Sequence, residues 1–501
     1  MRNPTLTHRP AIIQGGMGVA VSGWRLARAV ARTGQLGVVS GTALDVVFAR
    51  RLQLGDPGGD LRRAMGAFPD PAVAERILAY YFVEGGIDDG RSFKAVPMFT
   101  AEPRRRSLDL ATMGGFVEVW LAKEGHDGIV GINFLEKLQM PTPPTLYGAM
   151  LAGVDVVLVG AGIPREIPRL LDGLAAHEPV ALALHVAGGD GVAFGFDPRS
   201  VVPAPGAPLA RPMFLAIIAS TALAISLARK TPGVDGFVIE GPTAGGHNAP
   251  PRGAGELVGG EPVYGPRDEV DLEKIRELGL PFWLAGGQAR PERLRRAQEA
   301  GAAGIQVGTA FAFCEDSGMA PELRAQVLAE AEAGRVKVFT DPLASATGFP
   351  FKVVALEGTL SDDEVVEARE RRCDLGYLRE VYVAPDGRLG YRCPAEPIED
   401  YVRKGGDPSD TAGRKCICNA LTAAIGLGQR RQGIGEPPIV TAGNDLEELG
   451  RLLGPDRHAY TAADMVAYLL GAPPAGDGET ARDTEAVAAP VVPERSGATK
   501  R

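Results

Sequence analysis

Three glycine-rich runs, each closing a short stretch of apolar and β-branched residues, are where this chain could do chemistry. The first is Glu240-Gly-Pro-Thr-Ala-Gly-Gly-His247. Small residues there let backbone come close to a flat or anionic ligand. His247 titrates near neutrality and could give or take a proton beside that ligand. Read alone, the run is better explained as a plain turn with an exposed histidine. The second run, Ala285-Gly286-Gly287-Gln288, and the third, Gln306-Val-Gly308-Thr309, close the next two apolar stretches. At such ends backbone N–H groups and a helix N-terminus can cradle a phosphate, which a Cβ would hold off. Each run is weak by itself, but three in succession at strand ends are specific.

A second constellation is cysteine. Cys373, Cys393, Cys416 and Cys418 gather in one segment, while Cys314 stands apart. Four thiolates can ligate zinc tetrahedrally or hold an iron–sulfur cluster. The spacing contains one C-x-C where common zinc fingers have paired C-x-x-C. The segment is rich in Gly, Pro and charge, so metal ligation would supply folding free energy that its few apolar residues lack. The expectation is that these four converge on one metal centre and Cys314 does not. The rival reading is reduced cysteines that merely pack. His126, His177 and His185 have no partner motif and read as surface or satisfied core positions. Trp24 reads as a packing residue, and the pair Arg430-Arg431 as a solvated helix end.

The elements that must position these groups alternate strands with helices. Strands are predicted at 11–17, 36–40, 128–135, 154–160, 214–219, 234–240, 281–285 and 304–308, and a helix over 24–33 closed by Gly34. A hairpin at 180–186 and 192–196 interrupts the series, within an insertion at about 176–210. A larger insertion spans about 43–125, with helical pieces such as 72–82 and a possible strand at 95–99. Eight βα units fit an α/β TIM barrel, whose ligands sit at the C-terminal ends of the strands. An open doubly wound sheet is the rival, but the early G-x-G-x-x-G turn is missing. The barrel is expected over 1–355, a C-terminal extension with the four cysteines over 356–471, and a disordered tail over 472–501. The extension should carry a charged helix at 362–372 and helices near 446–453 and 462–470.

Composition narrows the partners. The chain has 501 residues, 45% hydrophobic and 23% charged, and a formal charge of −9. No basic stripe offsets that acidity, which argues against nucleic acid or an anionic membrane. The 66 glycines and 40 prolines imply many tight loops. The apolar run at 213–228 is shorter than the roughly 20 residues of a spanning helix and is broken by Ser220, Thr221 and Ser226. It reads as a strand entering a helix. Five cysteines and a polar N-terminus point to a reducing cytoplasm. Self-association into a homo-oligomer is left open.

Taken together, the motifs resemble the nitronate monooxygenase (formerly 2-nitropropane dioxygenase) flavoproteins. The resemblance runs through Ile13-Gln14-Gly15-Gly16-Met17, Gly131-Ile-Asn133-Phe-Leu135, the His247 run, the Gly286-Gly287 loop and Gln306-Val-Gly-Thr309. It covers roughly residues 10–355, and the related flavin-dependent enoyl-acyl-carrier-protein reductases share much of it. It implies a TIM barrel holding non-covalent FMN. Met17 and Asn133 would lie by the isoalloxazine, Gly245 and Gly246 beside the ribityl chain or ring. Gly286, Gly287, Gly308 and Thr309 would hold the phosphate, with Gln306 nearby, and Glu240 occupies a position where the family carries Gln or Glu. The sequence departs from the family at Thr243, where an acidic residue is usual, and in a longer, proline-rich segment after His247.

The implied activity is oxidation of a nitronate or similar stabilised carbanion with O2. His247 would either hold the anion while protonated or remove the α-proton of a neutral nitroalkane. One alternative is an NAD(P)H-dependent enoyl reductase. Another is a flavin-barrel scaffold whose C-terminal module senses redox state or binds a partner. An iron–sulfur centre is favoured over zinc at the cysteines, because a redox centre next to a flavin could relay electrons.

Overall fold

The computed structural model describes residues 9–253, 255–449 and 459–472. Its centre is a ring of eight strands, each rich in residues that suit a surface buried on both faces. They are β1 (Ile12–Gln14), β2 (Gly37–Ser40), β3 (Val130–Leu135), β4 (Val156–Gly160), β5 (Met213–Ile218), β6 (Gly236–Glu240), β7 (Phe282–Ala285) and β8 (Gly304–Val307). All eight match the strands expected from the sequence. Neighbours pair in parallel in the order β1-β8-β7-β6-β5-β4-β3-β2. The ring closes where Leu36, just ahead of β2, bridges to Ile13 of β1. There the Gln14 N–H donates to the Leu36 carbonyl at 2.9 Å, and the Leu36 N–H to the Ile12 carbonyl at 3.1 Å. This is a TIM barrel.

Side chains lock that seam. The fully buried Gln14 accepts the Val38 N–H on Oε1 at 3.0 Å and donates from Nε2 to Ser22 Oγ at 2.9 Å. Inside the ring Ile13, Leu36, Val38, Val156, Leu158, Leu215, Val238 and Trp283 form one apolar plug. Trp283 spends its one donor on the Pro10 carbonyl at 2.8 Å, so the plug buries no orphan indole N–H. The 213–228 run resolves as expected into β5 and the helix Thr221–Lys230, capped by Ser220 Oγ accepting from Leu223 N–H.

Several boundaries differ from expectation, each for a physical reason. The segment between β2 and β3 folds as helices Leu44–Gln53, Asp60–Met65, Pro71–Tyr81 and Arg105–Lys123. The last is buried along most of its length and packs against the helix Thr142–Leu151, so it is the crossover of a barrel unit, and the added part ends before it. Gly115 permits that contact, since a Cβ there would stand 2.1 Å from the Thr145 carbonyl oxygen. Residues 95–99 form no strand; they run as irregular chain under the insertion. The charged helix is only Asp363–Ala368, because Arg369 turns extended and buries its guanidinium against Glu436 at 2.6 Å. Arg430–Arg431 is no helix end but a strand paired with Ile434–Gly435, and Arg431 is bonded to Asp374.

The hairpin forms as Val180–Ala183 against Ala193–Phe196. Beside it Val186–Ala187 adds in parallel to the pair Glu380–Val383 and Leu389–Arg392, tying the later chain to the barrel. The later chain also has its own small core of Ala344, Phe351, Val353, Leu360, Ile417, Ala420 and Ile439. Near 446–453 a 3₁₀ turn covers Asn444–Glu448, and the rest of that expected helix lies outside the described residues, as does the tail expected to be disordered. The last expected helix is Ala462–Leu469. Among the described residues no helix is long and apolar enough to cross a membrane.

Replacing Gln14 by Leu keeps the volume but leaves the Val38 N–H buried without an acceptor. Denaturant titration of Gln14→Leu should show a loss of about 1–3 kcal/mol. An unchanged midpoint would mean that the seam does not depend on this side chain.

Candidate active site

The C-terminal ends of the barrel strands meet at one cavity. Gly15, Gly16 and Met17 reach it after β1, Ser40 from β2, Asn133 from β3, Gly160 from β4, Ile217 from β5, Glu240 from β6, Ala285 from β7 and Gln306 from β8. All eleven residues singled out in the sequence for this site line it: Met17, Asn133, Glu240, Gly245, Gly246, His247, Gly286, Gly287, Gln306, Gly308 and Thr309. The cavity holds about 230 Å3. Across Glu240, Ala285 and Gly286 it borders a wider hollow of about 580 Å3 lined also by Tyr264 and Gln288.

The glycines are dictated by close approach. A Cβ on Gly16 would stand 2.3 Å from Asn133 Cβ. Gly286 has φ +85°, the left-handed region, and a Cβ there would meet Thr243 Oγ1 at 2.9 Å. Thr243, which stands where the family carries an acid, thus fills the space beneath the glycine loop. Gln306 keeps a buried Oε1 that no protein donor reaches, an acceptor held ready on the cavity wall.

His247 is fixed from several sides. It bridges to Phe351, whose ring meets the imidazole edge-on with centroids 4.9 Å apart. Its Nε2 lies 2.7 Å from Ser345 Oγ, and Ser345 Oγ lies 2.8 Å from Thr347 Oγ1. Burial, with repulsion from Lys137 second, lowers the imidazole pKa to about 4. His247 is therefore neutral across the neutral range. Burial thus favours the neutral imidazole over the protonated one that holding an anion would need. Burial pushes the Glu240 carboxyl the other way, up to about 7.

A second set of lining residues comes from the later chain. Ile439, Val440, Thr441, Ala442 and Asp445 lap back over the barrel mouth. Thr441 Oγ1 accepts the Gly246 N–H at 2.9 Å, and the Gly443 N–H donates to Thr309 Oγ1 at 2.9 Å. The Thr309 hydroxyl expected to serve a phosphate thus already has a partner. Tyr377, Leu378, Ile417, Cys418 and Leu421 close another side. Tyr377 is bonded to Asp45, a carboxyl that burial raises to about 6. Among them only Cys418 lies in a spaced motif, the C-x-C that it forms with Cys416. The nearest thing to a signal is Gly443, where a Cβ would sit 2.6 Å from the Thr243 carbonyl oxygen.

The four cysteines come together. Cys373, Cys393, Cys416 and Cys418 all line one small void of about 10 Å3, and all are free thiols. Burial raises each of them, Cys416 to about 12. Among the described residues, however, no group of three or more His, Cys, Asp or Glu is gathered to hold a metal ion. The sulfurs surround a space and do not grip a point, so the expected metal centre is not formed by the side chains as they stand. Cys314 is buried elsewhere, its Sγ 3.1 Å from the Phe311 carbonyl oxygen. His126 and His177 are satisfied by local partners, Ala122 O for the first and Tyr147 OH and Ala207 O for the second. His185 is exposed beside Glu136, and Trp24 is buried under Arg25 and Arg28.

Comparison with known proteins supports the resemblance seen in the motifs. Residues 180–348 match the family model described as nitronate monooxygenase. The chain resembles the nitronate monooxygenases. A nitronate monooxygenase of Pseudomonas aeruginosa is 32% identical over 185 residues, 37% of this chain and 48% of the relative. The chain thus spans about half the length of the curated relative it matches. FabK from Thermotoga maritima aligns over 92% of both chains with 14% identity and a TM-score of 0.47. A nitroalkane oxidase from Streptomyces ansochromogenes aligns over 92% of this chain and 94% of its own, with 15% identity and a TM-score of 0.42. The nitronate monooxygenase match takes in β5 to β8, the His247 run and Ser345; Met17 and Asn133 lie outside it.

The state of His247 can be read directly. In histidine-labelled, ligand-free protein, the NMR signal that vanishes in His247→Ala should titrate near pH 4. Lys137→Met should move that titration upward, because it removes the repulsion. A midpoint in the ordinary histidine range, with no response to Lys137→Met, would contradict the burial described above.

Proposed function

We propose that the chain is an FMN-dependent oxidoreductase that oxidises a nitronate or similar stabilised carbanion, or the nitroalkane that yields it, with O2. The observation that carries this reading is the convergence of His247, the unpartnered Gln306 Oε1 and three glycine-rich strand ends on one cavity. The residues fit FMN. Gly286, Gly287 and Gly308 leave room for a phosphate, Met17 and Asn133 would flank the ring, and Gln306 would accept a hydrogen bond from its edge. FMN, when bound, supplies the redox chemistry; the protein supplies position and electrostatics.

The hydrogen bonds around His247 define its part. If Nε2–H donates to Ser345 Oγ, the Ser345 hydroxyl is free to donate to Thr347 Oγ1, while the Thr347 N–H donates to Ser345 Oγ. The Nε2 proton and the Ser345 hydroxyl proton then each have an acceptor, and Nδ1 carries the lone pair. The neutral imidazole would take the α-proton of a nitroalkane there, and its fixed ring would keep that nitrogen aimed while the cavity excludes water. A preformed nitronate needs no base.

Purified protein should carry FMN. It should consume O2 with propionate-3-nitronate or a nitroalkane. NADPH oxidation on an enoyl thioester without nitronate-dependent O2 uptake would overturn this reading in favour of an enoyl reductase. His247→Ala should keep FMN and a near-normal melting temperature while nitroalkane turnover falls by roughly two to four orders of magnitude. The kcat/KM for a neutral nitroalkane should hold steady from pH 8 to about 5 and fall only as pH approaches 4, where His247 gains its proton.

A further inference from the structure

Gly286, Gly287 and Gly308 share their cavity with a piece of the later chain that brings its own acid. Thr441, Ala442 and Asp445 line the same space as those glycines. Their backbone is firmly seated, for Val440, Ala442 and Leu446 are buried in the main core. The Asn444 N–H donates to the Thr243 carbonyl at 3.0 Å, and the Val354 N–H to the Val440 carbonyl at 2.9 Å. Contact with the glycine runs is tight: a Cβ on Gly245 would stand 2.8 Å from the Ala442 carbonyl carbon. The segment is a fixed part of the site wall.

Held this way, the segment brings acceptors to donors that a phosphate would use. Thr441 Oγ1 takes the Gly246 N–H, and Asp445 Oδ2 takes the Ala289 N–H at 3.3 Å. Ala289 stands at the end of the Gly286-Gly287 loop, just ahead of Arg290 and the helix Pro291–Glu299. A glycine-rich loop running into a helix N-terminus attracts anions through its backbone N–H groups and the helix dipole. The other carboxylate oxygen lies over the same loop. A Cβ on Gly287, whose φ is +66°, would be 3.6 Å from Asp445 Oδ1 and 3.3 Å from Thr243 Oγ1. A carboxylate of the chain thus already stands at the loop that glycine keeps open. A phosphate binding this loop would have to take the Ala289 N–H from that carboxylate or lie close to it, and like charges close together repel. Riboflavin, the same flavin without the phosphate, meets neither obstacle.

We propose that Asp445 is an anion built into the phosphate end of the cavity, and that its carboxylate sets how far FMN is preferred over riboflavin. The proposal rests on the reading that this cavity takes a flavin, and it concerns a residue outside the stretch that matches the nitronate monooxygenase family.

The full chain, freed of bound flavin, tests it by titration with FMN and with riboflavin while flavin fluorescence is followed. In the unaltered chain riboflavin should bind within about 10-fold of FMN, because the phosphate gains little net affinity beside Asp445. Asp445→Asn keeps the side chain's size and an oxygen for the Ala289 N–H but removes the charge. It should tighten FMN about 10-fold or more, the scale of one hydrogen bond to a charged group, and move riboflavin by less than about 2-fold. FMN affinity unchanged or weakened in Asp445→Asn would overturn the proposal, and so would both flavins tightening alike. Should Asp445→Asn fail to fold, the unaltered chain still decides: FMN bound about 100-fold or more tightly than riboflavin would show a phosphate met by donors alone. A chain that binds both flavins but ignores the substitution would sink the role of Asp445 and leave the flavin reading standing. A chain that binds neither flavin, altered or not, would overturn the flavin reading and this proposal with it.

Discussion

The parallel seam between β1 and Leu36 is held by two backbone hydrogen bonds and by the Gln14 side chain reaching the Val38 N–H. Unclosed, the eight strands would be an open sheet, with its two edge strands unpaired and their ends fanned apart. Closed, they aim Met17, Asn133, Glu240, Ala285 and Gln306 at one another. The plug of Ile13, Val38, Leu158, Leu215 and Trp283 fills the ring behind the seam, so ligand space exists only at the mouth. Site geometry here is inherited from barrel closure, and the glycine-rich ends need only shape the surface that closure delivers.

The eight strands, the glycine-rich strand ends and His247 were legible in the sequence because their signals are local, whereas Met17 and Asn133 came only with the family resemblance. A buried parallel strand reads as an apolar run, and a close backbone approach reads as glycine. What was not legible depends on contacts distant in sequence. Arg369 leaves the helix expected to continue through it because Glu436, far along the chain, receives its guanidinium in a buried pair. Arg431 looked like a solvated charge until Asp374 met it. The Arg105–Lys123 helix looked like part of an insertion, since its long buried face shows no clear stripe by which to choose a side. The protonation of His247 was also out of reach, because it depends on enclosure by Phe351, Ser345 and the neighbourhood of Lys137.

The later chain does not sit apart from the barrel. Tyr377 is bonded to Asp45, Arg50 donates to the Leu427 carbonyl, and Ser92 and Phe93 engage residues 430 and 429. The piece added after β2 and the piece added after β8 therefore grip one another, and the later one supplies part of the cavity wall. Buried pairs such as Arg369–Glu436 contribute little net stability when complete, yet losing one partner costs about 3–5 kcal/mol. These contacts act mainly to hold a single register between two additions to the barrel.

The lap of Thr441 to Asp445 over the mouth has a consequence for the order of events in the cell. The ribosome makes every barrel strand before this segment emerges, and domains generally fold as units while synthesis proceeds. A newborn barrel therefore waits with its mouth uncovered until the segment that bonds Gly246 and Thr309 arrives to roof it. A small molecule can reach the nascent barrel mouth before Thr441 and Gly443 bond to its rim.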